Sequence, residues 1–165
     1  MDENALPKVS IVTPSFNQAP FLEQTLRSVL EQDYPNLEYI VIDGGSTDGS
    51  ANIIRKYADQ LAYWQSQPDQ GQTDAINQGF AHATGEILAW LNSDDLLLPG
   101  AVSAAVRALE EHPEAAMVYG DALLINAQGK TIGKFPAAQT DYRKLRRGYV
   151  HIPQQASFFR AELWR

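Results

Sequence analysis

The feature that most constrains the fold is a regular alternation between short apolar runs and segments with helical spacing. The run Val9–Pro14 is rich in β-branched residues and ends at a proline, which is typical of a buried strand. Residues 21–30 then repeat apolar side chains at helical spacing, with polar residues between them. Strands and helices that alternate in this way predict an α/β layered fold with a largely parallel sheet.

The alternation continues along the rest of the chain. Further strands are predicted over residues 37–43, 61–66, 85–91 and 115–125. Helices are predicted after the turn at residues 46–50, over residues 75–83, and from a first-turn proline, Pro99, to about Glu111. Residues 126–135 predict a hairpin turn and its return strand. Because no repeat or linker interrupts this pattern, residues 1–165 are predicted to form one domain.

The composition limits the partners. The net charge of −7 argues against nucleic acid as a partner, because phosphate binding needs a basic surface, and it suits a site that collects divalent metal ions. The chain has no cysteine, which excludes disulfides and zinc–thiolate sites. No signal peptide is visible in the first ten residues, and no apolar run approaches the roughly 20 residues that cross a bilayer. These observations predict a cytoplasmic protein.

Polar clusters follow three of the predicted strands. They are "PSFN" after the first strand, "DGGSTDGS" after the second and "NSDD" after the strand at residues 85–91. In parallel α/β sheets, ligands bind at the carboxyl ends of the strands. The three clusters therefore predict one shared pocket.

The "NSDD" cluster places two carboxylates, Asp94 and Asp95, beside Asn92 at a strand end. Adjacent carboxylates repel each other and are costly to bury without a cation or hydrogen-bond donors. Capping of the following helix would explain one of them. A magnesium or manganese ion held jointly with a substrate phosphate would explain both, and this is the preferred interpretation.

The other two clusters allow more than one interpretation. Asp43 ends an apolar strand, where its carboxylate could accept the N–H of a base such as uracil, whereas Asp48 and its neighbours suit a turn and a helix cap. The loop after the first strand is either a simple turn capped by Ser15 or Asn17, or the wall of a nucleotide pocket that includes Phe16. Within residues 69–80, Asp74 or Thr73 could cap a helix, or a loop could cover the pocket.

A basic stretch at residues 142–151 stands out in an acidic chain. A solvated helix face is the common explanation for such a stretch. The alternative is a contact with diphosphate or anionic lipid through Arg143, Arg146, Arg147 or His151.

Taken in order, these segments resemble the family 2 glycosyltransferases of the GT-A fold. The similarity is carried by "VSIVTPSFNQAPFLEQTLRSVLEQDYPNLEYIVIDGGSTDGS" and "GEILAWLNSDDLLLPGA". The resemblance implies a three-layer α/β/α domain that binds a nucleotide-diphosphate sugar, with a UDP-sugar expected, and a divalent metal, Mn or Mg. It implies transfer of the sugar to an acceptor hydroxyl with inversion, and a role in cell-surface polysaccharide or glycan biosynthesis is expected. Peripheral contact with the inner face of the membrane is a separate expectation.

The resemblance also implies roles for individual residues. Metal binding falls to Asp94 and Asp95, and donor binding to Pro14, Ser15, Phe16, Asn17, Asp43, Asn77, Asn92 and Ser93. The chain departs from the family in two places. Asn92 replaces the first aspartate of an Asp-x-Asp motif, which predicts weaker metal affinity. Ile76 stands where an arginine often precedes the helix asparagine, so one phosphate contact is in doubt.

No residue of the chain matches the position of the family's general base. Family members place that carboxylate downstream of a stretch like "HIPQQASFFRAELWR", so it is expected beyond Arg165, because the nearest acids, Asp121 and Glu162, do not match it. We therefore expect a donor-binding portion without its acceptor side. Its C-terminal end, with Phe158, Phe159 and Trp164, is expected to be exposed and to form a homodimer contact.

Two alternatives to the transferase remain at this point. A nucleotide-sugar binding module without catalysis would fit the missing base. A sugar nucleotidylyltransferase would share the layered architecture, but it favours a glycine-rich, arginine-containing loop after the first strand, and "TPSFNQAP" is not such a loop.

Overall fold

The computed structural model describes residues 6–149 and 151–164. The strands are β1 (Val9–Ser15), β2 (Leu37–Asp43), β3 (Tyr63–Ser66), β4 (Ile87–Trp90), β5 (Met117–Tyr119), β6 (Ala122–Ile125), β7 (Thr131–Phe135) and β8 (Ser157–Arg160). The helices are α1 (Ala19–Leu30), α2 (Ser50–Lys56), α3 (Gln72–His82), α4 (Ala101–Glu111) and α5 (Tyr142–Arg146). Within the described ranges, no helix combines the length and the apolar composition that a membrane span requires.

Six of these strands form one sheet in the order β3-β2-β1-β4-β8-β5. Strands β1 to β4 are parallel, and β8 runs antiparallel between β4 and β5. In the middle of the sheet, β1 pairs with strands on both sides and all seven of its residues are buried. The predicted α/β fold with a mostly parallel sheet is confirmed.

The sheet lies between two apolar layers because alternate strand residues point to opposite faces. On one face Ile11 packs in a core that includes Leu26 of α1 and Val106 of α4. On the other face Val12 packs in a second core with Phe80 of α3. Helix α3 lies so close to β1 that a Cβ at Gly79 would clash with the Val12 side chain. The sheet thus holds helices on both of its faces, because adjacent strand residues such as Ile11 and Val12 point into opposite cores.

Two predicted boundaries are wrong. Pro99 does not open α4, because Gly100 is the N-cap with a φ of 76° and the helix begins at Ala101. Residues 115–125 are not one strand. The chain turns at Gly120, so that β5 pairs with β8 in the main sheet while β6 pairs with β7 in a separate hairpin. That hairpin matches the predicted turn and return strand.

The C-terminal phenylalanines are not exposed, contrary to the prediction. Phe158 and Phe159 lie in β8 and are 3% and 8% exposed, because the strand inserts between β4 and β5 with one side chain in each core. Trp164 keeps 43% of its surface exposed and packs against Phe80 at a ring distance of 4.9 Å. The homodimer contact predicted from this end therefore lacks the two exposed phenylalanines on which it depended.

Candidate functional site

A cleft of about 600 Å³ opens at the carboxyl ends of β1 and β4. It is lined by the β1–α1 loop, the ends of the β2–α2 and β3–α3 loops, the first turn of α3 and the segment after β4. The lining residues are Pro14, Ser15, Phe16, Gln18, Gly44, Asp69, Gly71, Gln72, Ala75, Asn92, Ser93 and Asp94.

Pro14 shows why the sheet opens at this point. The carbonyl of Val12 accepts from Leu91 on the β4 side, whereas the carbonyl of Ser15 accepts from Gly44 on the β2 side. The alternation of a parallel strand therefore turns the Pro14 nitrogen toward β4, and pairing with β4 ends at Val12. A proline fits there because no partner strand needs its missing N–H. Beyond this residue β1 and the β4 segment separate, and the cleft lies between them.

The β1–α1 and β2–α2 loops are joined by side chain to backbone hydrogen bonds. Asn17, with a φ of 53°, accepts at Oδ1 from the backbone N–H of Thr47 (3.0 Å), and its own N–H donates to Ser46 Oγ (2.8 Å). Asp48 accepts from the N–H groups of Ala19 (2.8 Å) and Ser50 (3.0 Å), at the starts of α1 and α2. The hydrogen bond from the Ser50 hydroxyl contributes most to a lowered pKa of Asp48. Asn17 thus fixes the loop and is not among the cleft-lining residues.

Asp43 is completely buried at the end of β2. Its carboxylate accepts from the Ser46 N–H (2.9 Å), the Ser46 hydroxyl (2.5 Å) and the Ser66 hydroxyl (2.6 Å). These bonds connect the β2–α2 loop to the end of β3. Asp43 is not among the cleft-lining residues, and its contact with a base stays a prediction.

Asp69 is a carboxylate of the cleft that the sequence analysis did not single out. Its Oδ1 accepts from the N–H of Gly71 (2.8 Å), and its Oδ2 lies over Gly44, where a Cβ would be only 2.8 Å away. Gly44 therefore allows Asp69 to reach the cleft. The sequence contains a pattern that indicates this position for Asp69, because Asp69 comes shortly after β3, just as the three polar clusters come after their strands.

The "NSDD" segment sends its two carboxylates to different places. Asp94 is exposed and lines the cleft, whereas Asp95 lines a separate apolar cavity beside α4. The Asn92 amide donates to Asp95 Oδ2 (3.2 Å) and accepts from Gln72 (2.7 Å). Burial, and then repulsion from Asp94, raise the pKa of Asp95. Neither aspartate caps α4, so the capping interpretation is wrong.

The cleft fits a metal ion only if the ligand supplies part of the coordination. Among the described residues, no group of three or more His, Cys, Asp or Glu side chains could hold a metal. The cleft offers Asp69 and Asp94, together with amide and hydroxyl oxygens, which are hard ligands suited to Mg²⁺ or Mn²⁺. The Ser15 hydroxyl is buried and has no hydrogen-bond partner in the described part of the chain. An oxygen-rich ligand would complete the coordination of the metal ion and would give the Ser15 hydroxyl a hydrogen-bond partner.

The structure brings together six of the predicted site residues and separates four from them. Lining the cleft are Pro14, Ser15, Phe16, Asn92, Ser93 and Asp94. Outside its lining are Asn17, Asp43, Asn77 and Asp95. Asn77 is exposed near the middle of α3, whereas the helix contributes its earlier residues, Gln72 and Ala75, to the cleft.

Comparisons with known proteins place most of the chain in one family. The family described as Glycosyl transferase family 2 matches residues 10–161. An uncharacterized glycosyltransferase of Mycobacterium tuberculosis is 39% identical over 160 residues, which are 95% of this chain and 60% of the relative. The chain thus spans about 60% of the length of that curated relative.

Two solved structures are similar to the chain. The mannosyltransferase PcManGT from Pyrobaculum calidifontis, in complex with GDP-Man and Mn²⁺, superposes with a TM-score of 0.71 at 27% identity, over 98% of this chain and 47% of that one. S. aureus TarS 1–349, in complex with UDP, superposes with a TM-score of 0.59 at 27% identity, over 67% and 34%.

Proposed function

The chain belongs to glycosyltransferase family 2 and has the GT-A fold, and from this premise we propose that its cleft binds a nucleotide-diphosphate sugar with a divalent metal, Mn²⁺ or Mg²⁺. The proposed reaction transfers the sugar, with inversion, from a UDP-sugar to an acceptor hydroxyl in cell-surface polysaccharide or glycan biosynthesis. The observation that carries the proposal is a single cleft that contains the exposed Asp94 carboxylate, the Asn92 amide and the unpaired Ser15 hydroxyl.

Each wall of the cleft suits one part of such a donor. Phe16 is 61% exposed at the rim, where its ring can stack on a base or ribose. The Ser15 hydroxyl would gain a hydrogen-bond partner from the nucleoside. Asp94 would hold the metal together with the diphosphate, because the cleft has too few carboxylates to hold it alone. A bound divalent ion would neutralise charge on the departing diphosphate.

We propose that Asp69, rather than Asp43, reads the ring N–H of the base. Asp43 is fully buried and both of its oxygens accept hydrogen bonds from serines. Asp69 lines the cleft and its Oδ2 lies over Gly44. A carboxylate that accepts a ring N–H distinguishes uracil and guanine from bases that lack that donor.

Nucleotide titrations separate these two aspartates. The affinities of UDP, GDP and dTDP are measured by calorimetry in Mn²⁺ for the wild type, Asp69→Asn and Asp43→Asn. Asp69→Asn should weaken the preferred nucleotide by roughly 1–3 kcal/mol, because its amide oxygen keeps the hydrogen bond from Gly71 and the oxygen that would meet the base N–H becomes an NH₂ donor. The melting temperature should be unchanged. Asp43→Asn should lower the melting temperature. If Asp43→Asn instead weakens binding at an unchanged melting temperature while Asp69→Asn binds normally, Asp43 reads the base.

We assign no general base within residues 1–165. Asp121 accepts a hydrogen bond from the Ala137 N–H, and its Oδ2 lies 3.9 Å from Lys134 Nζ. Glu162 is exposed near the C-terminal end of the described residues. Neither carboxylate lines the cleft. The two carboxylates that do line it, Asp69 and Asp94, belong to the donor side of the proposal. The 165-residue chain should therefore bind donor without acceptor-dependent release of nucleotide diphosphate, as a binding module would.

A further inference from the structure

A second surface of the chain carries an unpaired positive charge. Helix α5 and the turn after it, residues 142–149, are here called the basic segment. Arg143, Lys144, Arg146 and Arg147 are four of the 13 lysines and arginines in a chain with a net charge of −7. All four side chains belong to exposed residues.

None of these cations forms an ion pair with another of the described residues. The ion pairs found in residues 6–149 and 151–164 involve other side chains, such as Arg27 with Glu31 at 2.8 Å. The Lys144 ammonium donates to the carbonyl of Gln139 (2.8 Å). Arg160, by contrast, is satisfied by the carbonyls of Ala115 and Leu109. The basic segment therefore presents charge outward, unlike a face of paired charges.

Exposed apolar and aromatic side chains alternate with the cations. Tyr142, Leu145 and Tyr149 are 76%, 40% and 61% exposed. Tyrosine rings with a polar tip and basic side chains with apolar stems suit the boundary between water and lipid. In water, exposed apolar surface of this kind is unfavourable in free energy, and insertion into a lipid interface would bury it.

The residues that flank the basic segment are hydrogen-bonded to each other and to the sheet, and a cavity lies beside the segment. The Ala138 N–H donates to the carbonyl of His151 (3.2 Å), and the Ala138 carbonyl accepts from the Tyr119 hydroxyl of β5 (3.2 Å). Asp141 caps α5 by accepting from the Lys144 N–H (2.9 Å). A cavity of about 560 Å³ lies here, and its lining includes Arg143, Lys144, Arg147, Tyr149 and His151. Asp141 also lines this cavity, but Arg143, Lys144 and Arg147 outnumber it, so the net positive charge suits a phosphate headgroup.

We propose that the basic segment docks the protein on a bilayer surface that contains anionic lipids. The cations would contact headgroup phosphates while Tyr142, Leu145 and Tyr149 enter the interface. Nucleic acid fits less well, because the chain as a whole is acidic and the exposed apolar side chains would gain nothing from it. The proposal does not depend on nucleotide binding by the cleft.

Vesicle sedimentation tests the proposal on the full chain. The partition coefficient is measured with phosphatidylcholine vesicles and with vesicles that contain 30% phosphatidylglycerol, at low and high salt. The test variant is Arg143→Gln/Arg146→Gln/Arg147→Gln. The matched control, Arg55→Gln/Lys56→Gln/Arg107→Gln, removes the same charge from other exposed positions. A third variant, Tyr142→Ser/Tyr149→Ser, removes the exposed rings.

The wild type should bind anionic vesicles, bind neutral ones weakly and dissociate as salt rises. Each cation contributes about fivefold, so the test variant should lose roughly 100-fold in partition while the control keeps most of it. The ring variant should lose partition but keep its salt dependence. Equal binding to neutral vesicles, equal losses in test and control variants, or tighter binding to double-stranded DNA at the same salt would overturn the proposal. Melting curves check that all variants fold.

Discussion

Asp94 and Asp95 are neighbours in the chain, yet only one of them faces the cleft. Asp95 is held by the Asn92 amide, whose Nδ2 donates to it and to Gln154 (3.2 Å each). An aspartate at position 92 would place a second negative charge against Asp95. This explains why the chain has an asparagine where the family's acidic motif begins. Of these two adjacent aspartates, Asp94 is the one that lines the cleft.

The two aspartates allow a matched comparison at the residue scale. Asp94→Asn should weaken manganese-dependent binding of nucleotide diphosphate by roughly 10–100-fold, because the metal loses the carboxylate that we assign to it. Asp95→Asn changes the net charge equally at the adjacent position and should leave the affinity nearly unchanged. Titration calorimetry in Mn²⁺ measures both. Equal losses in the two variants would mean that both carboxylates hold the metal, as the sequence predicts.

At the scale of the elements, Glu38 ties together the ends of three of them opposite the cleft. It lies in β2 and accepts from Ser10 of β1 (2.5 Å) and from the N–H and hydroxyl of Thr84 before β4 (2.8 and 2.7 Å). Burial acts to raise the pKa of Glu38, but the hydrogen bonds from Ser10 and Thr84, with the charge of Lys8, outweigh it and lower the pKa below the ordinary 4.5.

The lowered pKa gives Glu38 a pH signature. Its ionised form is favoured in the folded state, so its contribution to stability is present above pH 4.5 and is lost as the pH falls through the lower, folded value. Glu38→Gln should cost about 1–3 kcal/mol of unfolding free energy at pH 7, and the difference from the wild type should shrink as the pH falls below 4.5. Urea unfolding at several pH values measures it. A difference that does not change with pH would show that charge plays no part.

Local patterns predict most elements because strand and helix periodicity are properties of neighbouring residues. The first four strands and their helices follow from that periodicity. The position of β8 does not, because its pairing with β4 and β5 joins residues far apart in sequence. The burial of Phe158 and Phe159 depends on that pairing. In the site, the rule that ligands bind at strand ends locates the cleft, but it does not give the direction of a side chain. The sequence therefore predicts Asp43 and Asp95 as cleft residues and does not identify Asp69.

At the scale of the whole molecule, two surfaces of opposite character belong to one chain. The cleft is rich in oxygen ligands and opens at the carboxyl ends of β1 and β4. The basic segment is cationic and lies between β7 and β8. A protein that binds an activated sugar and also docks on an anionic membrane is suited to acceptors carried by lipids. This combination follows from the two proposals, and each can fail without the other.

The most direct test of the central claim is the affinity of the wild-type chain for UDP in Mn²⁺ and in EDTA, with GDP and dTDP titrated in parallel. The cleft should bind at least one nucleotide diphosphate at least roughly tenfold more tightly in Mn²⁺, because the exposed Asp94 otherwise repels the diphosphate. Equal affinity in EDTA and Mn²⁺, or no binding of any of the three in either condition, would contradict a metal-dependent nucleotide-sugar site in this cleft.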